Sequence, residues 1–213
     1  MSSVVSPQSS SPAFFADAPT IVMRDSLAEF LGAADAGVLE YRYVDAVRLA
    51  GHSCPTVAGA WLMARAAVRA LYPEGQPLPE RGAIRIDFRE RRDAGVTGVV
   101  ANVLGLVTGA AGDGGFPGIG GRFVRRDRLF FEQPVGAQVR FTRLDNDRAV
   151  EAEANLSRVP SDPRMAWAMS RSLSDDASAE ETALFRELWQ DRVRRVLVEH
   201  ADDPELITIK PIR

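Results

Sequence analysis

The only cysteine of the chain and one of its two histidines lie two positions apart, in the sequence Gly-His-Ser-Cys-Pro-Thr at positions 51–56. A long apolar segment follows, and Pro55 suits the first position of a helix, which makes Cys54 the residue that caps it or the neighbour of that residue. Unpaired backbone N–H groups and the helix dipole at such an end favour a thiolate. His52 falls on the same side of an extended chain as Cys54. The pair therefore predicts a reactive thiol or a metal site.

The metal interpretation depends on how many donors the chain can gather around this pair. An imidazole and a thiolate together can bind zinc, iron or copper. A closed structural zinc site needs more protein ligands than these two, and the second histidine, His200, belongs to a distant C-terminal helix. Carboxylates, water, a substrate or a second subunit must then complete the coordination.

Two other interpretations of the pair stay open. A lone cysteine at the start of a buried helix is commonly a small apolar residue, and a lone histidine is commonly a hydrogen-bonded structural residue. Alternatively, Cys54 acts as a metal-free nucleophile with His52 as its base.

A glycine-rich loop is the second feature that suggests binding. Positions 108–121 contain seven glycines in fourteen residues. Such a loop lets backbone amides approach a ligand closely, or it makes turns that other residues cannot make. It lacks the Lys-Ser/Thr ending of a P-loop and follows a helix rather than a strand, so it does not indicate a nucleotide site.

Hydrophobic periodicity predicts the elements that position these two features. A helix buried nearly all round follows Pro55, a half-buried strand spans 83–89, and a second helix spans 96–107. Three strands are predicted at 122–132, 138–144 and 149–158, then a helix capped by Ser178 and a short edge strand at 206–209. The length and these elements suit a single domain, 21–213, after a flexible, Ser/Pro-rich tail, 1–20.

Composition excludes several classes of function. The chain has 213 residues and a formal net charge of -3, which does not indicate a basic surface for binding nucleic acid. No apolar run is long enough to span a bilayer, one cysteine cannot form an intrachain disulfide, and the N-terminus lacks a secretory pattern. We therefore expect a cytoplasmic protein that binds neither nucleic acid nor a membrane.

The order of these motifs resembles the FmdE-like family, named for one of the subunits of molybdenum or tungsten formylmethanofuran dehydrogenase. The matching segments are 52–55, 103–109, 112–116 and 128–131, within a region from about position 45 to 199. The resemblance implies an α+β fold of the FwdE/GAPDH-domain-like kind, in which a mixed, largely antiparallel sheet packs against a buried central helix, with further helices at both ends. It also implies a homodimer and a metal, usually zinc, near His52 and Cys54. Ala110 and Asp113 stand where many members have cysteine and lysine.

The resulting hypothesis is an FmdE-like protein that binds a metal ion or metal cofactor and acts on, or presents, a small molecule under the glycine loop. As an enzyme it would be a metal-dependent oxidoreductase or lyase. The alternative is a non-catalytic accessory subunit, or a haem- or metal-binding module, of an oxidoreductase system, because Cys-Pro pairs also ligate haem. The predicted site residues are His52 and Cys54 for metal and catalysis, Asp113 or Asp87 as acid or base, and Gly112, Gly114, Gly115 and Phe116 against the ligand.

Overall fold

The computed structural model describes residues 11–212, and its longest apolar helix, α3 (Pro55–Leu71), lies at the centre. Twelve of its 17 residues are buried. This agrees with the sequence, which places apolar residues on nearly every face of the helix. Cys54 is the N-cap of α3 and Pro55 its first residue. The prediction that Cys54 stands at a helix N-terminus is therefore confirmed.

A five-stranded sheet covers one side of α3. The strand order is β4-β3-β5-β6-β7, with β3 and β4 parallel and the other pairs antiparallel. The apolar residues of β3 and β5 alternate toward the helices, so one face of the sheet is buried. This arrangement confirms the predicted α+β fold with a mixed, largely antiparallel sheet. The strands are β3 (Ile84–Phe88), β4 (Leu129–Phe130), β5 (Val139–Arg143), β6 (Ala149–Ala154) and β7 (Ile207–Ile212).

The remaining elements surround α3 and the sheet. Helices α2 and α4 pack against each other and against α3, and α5 and α6 form a hairpin with a small apolar cluster of its own. A separate antiparallel pair, β1 and β2, precedes α2. These elements are β1 (Ile21–Arg24), α1 (Ser26–Phe30), β2 (Val38–Tyr41), α2 (Tyr43–Ala50), α4 (Thr97–Thr108), α5 (Met165–Ser172) and α6 (Ala179–Arg194), which continues into a π-helical turn, Arg195–Glu199.

The segment just before β1 differs from the flexible tail that the sequence predicts. Ala13–Ala16 form a 3-10 turn, and the Phe15 side chain is only 9% exposed. Its ring meets that of Tyr43 edge-on at 5.0 Å, and the Trp61 indole donates a hydrogen bond to the Pro19 carbonyl. Burial of an aromatic ring offsets the entropy of ordering this stretch. Positions 1–10 of the predicted tail lie outside the described residues.

The strand predicted at 122–132 is reduced to the two residues of β4. The residues before it pair instead with the glycine loop, so their backbone groups are satisfied without a neighbouring strand. Within residues 11–212, no helix is both long enough and apolar enough to cross a membrane.

Candidate functional site

The turn that carries His52 and Cys54 is held through Ser53. The Ser53 carbonyl accepts hydrogen bonds from the Trp189 indole at 2.9 Å and from the Gln190 amide at 3.2 Å, both on α6. Its hydroxyl lies 3.0 Å from the Tyr43 hydroxyl. These contacts join α2, α6 and the start of α3, so the position of the turn is fixed by three helices.

Cys54 lies inside this turn with 8% of its surface exposed. Its Sγ accepts a hydrogen bond from the backbone N–H of Val57 at 3.4 Å, as a side chain at a helix N-cap does. Burial raises the pKa of the neighbouring Tyr43 hydroxyl; negative charge on Cys54 adds to the rise, and the Ser53 hydrogen bond opposes it. The thiol therefore shares a largely buried environment with a neutral phenol.

His52 lies at the surface, and its ring is oriented by the backbone. Nδ1 is 2.9 Å from the carbonyl oxygen of Ala50. A carbonyl only accepts, so Nδ1 carries a proton, and in the neutral ring Nε2 keeps its lone pair. Among the side-chain hydrogen bonds of residues 11–212, none joins His52 to Cys54. A thiol activated by an adjacent imidazole needs that bond, so the geometry does not favour the nucleophile interpretation.

The donors that the structure describes near this turn do not complete a metal site by themselves. No group of three or more His, Cys, Asp or Glu side chains suited to a metal occurs in the described part of the sequence. His200 instead pairs through Nδ1 with Asp203 at 2.8 Å, which lowers the pKa of that carboxyl. A closed zinc site is therefore not formed by residues 11–212 alone.

A cavity of about 750 Å³ opens at the β4 edge of the sheet. We call it the loop cavity, because the glycine loop forms one of its walls. Gly112, Asp113, Gly114 and Gly115 line it, whereas His52, Cys54 and Phe116 do not. The structure thus brings four of the predicted residues together and leaves the His-x-Cys turn outside their cavity. The other lining residues are Leu49, Arg92, Ala101, Asn102, Gly105, Leu106, Ala110, Ala111, Asp127, Leu129, Phe130 and Phe131.

Backbone hydrogen bonds hold the glycine loop against the segment that leads into β4. The Ala111 N–H donates to the Arg125 carbonyl at 3.0 Å, and the Ala111 carbonyl accepts from Leu129 at 3.1 Å. A Cβ at Gly115 would lie 2.6 Å from Cα of Arg126, so only glycine fits there. A Cβ at Gly114 would meet nothing within 4 Å. Some glycines therefore serve packing, and others leave the cavity open.

Helix α4 supplies the floor of the loop cavity. Gly98, Asn102 and Gly105 follow one face at helical spacing. A Cβ at Gly98 would lie 3.0 Å from the Arg92 carbonyl, and one at Gly105 would lie 2.9 Å from the Ala110 carbonyl. Because these two positions carry no side chain, the backbone at Arg92 and at Ala110 can lie close to the two ends of this helix face. Asn102 lies between them, exposed, with no side-chain hydrogen bond to any described residue.

Phe130, the last residue of β4, and Phe131, directly after it, line the cavity, but their rings lie on opposite faces of the sheet. The Phe130 ring lies under the Arg85 guanidinium at 4.4 Å on the outer face, and the Phe131 ring stacks on the buried Phe88 at 5.3 Å on the face toward the helices. The Phe131 ring therefore forms the aromatic wall of the cavity, and its stacking on Phe88 positions it before any ligand arrives.

The two carboxylates predicted as acid or base lie in different environments. Asp113 is exposed in the loop cavity, where Oδ1 accepts the Gly114 N–H at 2.9 Å. Asp87 is 5% exposed on β3, paired with Arg85 at 2.8 Å, and does not line the cavity. Asp113 is the one of the two that a ligand in this cavity can reach.

A buried ion-pair network anchors the glycine loop to the rest of the chain. Asp25, which caps α1, binds Arg125 at 2.6 Å and Arg81 at 2.9 Å. Burial raises the pKa of Asp25, but the hydrogen bonds from Arg81 and the Ala28 N–H, together with the charge of Arg125, outweigh it, so the pKa lies below its ordinary value. Burial lowers the pKa of Arg125 against the effect of Asp25. The network fixes the position of Arg125, whose carbonyl accepts the hydrogen bond from Ala111 of the glycine loop.

The cavity residues that sequence reasoning did not predict include Leu49, Arg92, Asn102 and Asp127. The spacing of Asn102 between two glycines on one helix face was a signal that the sequence did contain. Leu49 and Arg92 come from separate segments, and only tertiary packing brings them to the loop.

The fold and the cavity define an α+β protein with a preformed pocket at one edge of its sheet. No protein-family model matches the chain, and no curated protein matches it significantly. Among solved structures, the chain is similar to an FmdE-like protein from Syntrophus aciditrophicus, described as resembling a subunit of tungsten formylmethanofuran dehydrogenase. The identity is 16%, the match covers 81% of this chain and 73% of that one, and the TM-score is 0.40. The match is a weak one at the level of the fold.

Proposed function

We propose that this protein binds a small, partly aromatic organic molecule in the loop cavity. The observation that carries the proposal is a preformed cavity of about 750 Å³ that joins an aromatic wall to a few polar side chains. Ligand pockets commonly have volumes of roughly 300–1,000 Å³ and this mixture of apolar walls and sparse polar groups.

The walls support binding in three ways. Phe131 offers a ring for stacking, and this ring is already held against Phe88. The free carboxamide of Asn102 offers a donor and an acceptor on the floor. Gly112 and Gly114 leave the backbone of the loop open to a ligand, since a Cβ at either would meet no atom closer than 3.9 Å.

Binding is tested with a neutral aromatic probe, para-methylphenylacetamide, followed by backbone amide NMR of the full chain. The probe should shift the amides of the glycine loop and of α4 in a saturable way. The variant Asn102→Trp, which fills the cavity from an exposed position, should abolish the saturable shifts.

Val96→Trp is the matched control, because Val96 is 51% exposed at the start of α4 and does not line the cavity. It should bind the probe as the unsubstituted chain does. The proposal fails if the probe causes no saturable shifts, or if Asn102→Trp binds it unchanged.

Metal binding at His52 and Cys54 is a second candidate function, and the orientation of His52 favours it. Donation from Nδ1 to a backbone carbonyl is the arrangement that leaves Nε2 of a histidine ready to bind a metal. We propose that Cys54 would be the second donor, with water, a ligand or a second copy of the chain completing the set. Zinc is the ion that such a donor pair suits best, with iron or copper as alternatives.

Cobalt(II) substitution tests this second function, because a thiolate bound to cobalt gives a charge-transfer absorption band. The band should appear in the unsubstituted chain, disappear in Cys54→Ser and weaken in His52→Ala. His200→Ala is the control and should keep the band, since His200 is bonded to Asp203. An equal band in Cys54→Ser, or none in the unsubstituted chain, would reject metal binding by this pair.

A further inference from the structure

We infer that the ligand of the loop cavity is dipolar, with an anionic group beside Arg92 and a cationic group beside Asp113 and Asp127; this rests on the proposed function. The three side chains are the charged groups that line the loop cavity. The positive charge lies at one end of the cavity and the two negative charges lie at the other. The cavity therefore distinguishes the two ends of a ligand as well as its shape.

Arg92 marks the positive end, near the start of α4. The backbone of Arg92 lies against Gly98, because a Cβ at Gly98 would be 3.0 Å from the Arg92 carbonyl. The neighbouring Arg91 pairs with Asp93 at 3.0 Å, whereas Arg92 forms no ion pair with any residue of 11–212. Arg92 also lines an adjoining cavity that contains Glu132, but Glu132 does not line the loop cavity. A carboxylate or phosphate entering the loop cavity thus meets an unpaired guanidinium.

The negative end lies where α4 runs into the glycine loop. Asp113 and Asp127 both line the cavity there. Asp127 lies 3.8 Å from the exposed Arg126, and Asp113 forms no ion pair within the described chain. The C-terminus of α4 carries the negative end of the helix dipole, which adds to the attraction for a cation.

The helix sets the distance between the two ends. The Arg92 backbone lies close to Gly98, and the Ala110 carbonyl of the glycine loop lies close to Gly105. Seven residues of α-helix span about 10 Å, and the reach of the arginine and aspartate side chains shortens the gap between their charges. Phe130 and Phe131 line the same cavity. The fitting ligand therefore has an aromatic or apolar middle with an acid at one end and an amine at the other.

Three probes that share a para-substituted phenylacetyl frame and differ in their charged groups test this inference on the full chain. They are the neutral para-methylphenylacetamide, the anionic para-methylphenylacetate and the dipolar para-(aminomethyl)phenylacetate. Each added charge should tighten binding about fivefold, the size expected for one partly solvated charge pair. Arg92→Gln should bring the affinity ratio of acetate to acetamide close to one. Asp113→Asn should reduce the ratio of the dipolar to the anionic probe.

Arg148→Gln, an exposed arginine that does not line the cavity, is the control for long-range charge and should leave both ratios unchanged. If the acetamide binds but neither charge tightens binding, the inference is overturned and the proposed function stands. Ratios that do not respond to Arg92→Gln and Asp113→Asn overturn it as well. If the acetamide does not bind at all, the proposed function itself fails, and the inference with it.

Discussion

Replacing Asp25 by asparagine should destabilise the protein far more than replacing an exposed acidic partner. Asparagine is as good an N-cap as aspartate, so the hydrogen bonds to Leu27 and Ala28 can persist while the charge is removed. Arg125, whose side chain is 8% exposed, and Arg81, at 23%, then lose their counter-charge. Removing one partner of a buried ion pair costs about 3–5 kcal/mol. Because Arg81 is partly solvated, we expect about 3 kcal/mol.

Urea unfolding measures this cost through the midpoint and slope of the transition. Glu40→Gln is the matched control, because the Arg42–Glu40 pair has side-chain exposures of 70% and 46%. Such a pair contributes below about 1 kcal/mol. Equal losses for Asp25→Asn and Glu40→Gln would refute the reasoning that burial makes the Asp25 network important.

The same network predicts how stability changes with pH. The pKa of Asp25 is lower in the folded protein than its ordinary value of 3.8. Its contribution is therefore fully present above about pH 4 and is lost as the pH falls through the folded pKa. The stability difference between the unsubstituted chain and Asp25→Asn should stay constant from about pH 7 to about 5 and narrow below about 4. A difference that persists undiminished in acid would contradict the assignment.

Three further predictions concern packing and ionisation. Gly115→Ala should lower the free energy of unfolding by about 1–3 kcal/mol, because its Cβ overpacks the glycine loop. Gly114→Ala adds a Cβ in open space and should be as stable as the unsubstituted chain. Equal stabilities of the two variants would contradict the packing argument. Phe15→Ala should cost about 3 kcal/mol in thermal or urea unfolding, and no loss would show that the segment before β1 does not pack. The raised pKa of Tyr43 keeps its phenol protonated past about pH 10, so stability should fall as the pH rises through its folded pKa; an absorbance titration compared with Tyr43→Phe checks this.

The sequence predicted the central helix and most of the sheet because their patterns are local. The buried run after Pro55 and the alternation in β3 each depend on neighbouring residues, and both are confirmed. The strands β1 and β2 were missed, since four residues each give too short a pattern to separate from a loop. The ordered turn at Phe15 was missed because its partner, Tyr43, is distant in the sequence.

The site was predicted only in part, for the same reason. The glycine loop was singled out from composition, and four of the site residues predicted within it line the cavity. Leu49 and Arg92 carry no local signature of binding, and only tertiary packing brings them to the cavity. Phe116 was expected against the ligand, but its carbonyl accepts hydrogen bonds from Arg125 and Arg126, and its side chain does not line the cavity. The roles of His52 and Cys54 remain a prediction.

A structure of the protein with para-(aminomethyl)phenylacetate tests the central claim most directly. The account predicts that the ring lies between α4 and Phe131, with the carboxylate at Arg92 and the ammonium group at Asp113. A probe bound instead at the His52–Cys54 turn, with the loop cavity empty, would contradict it.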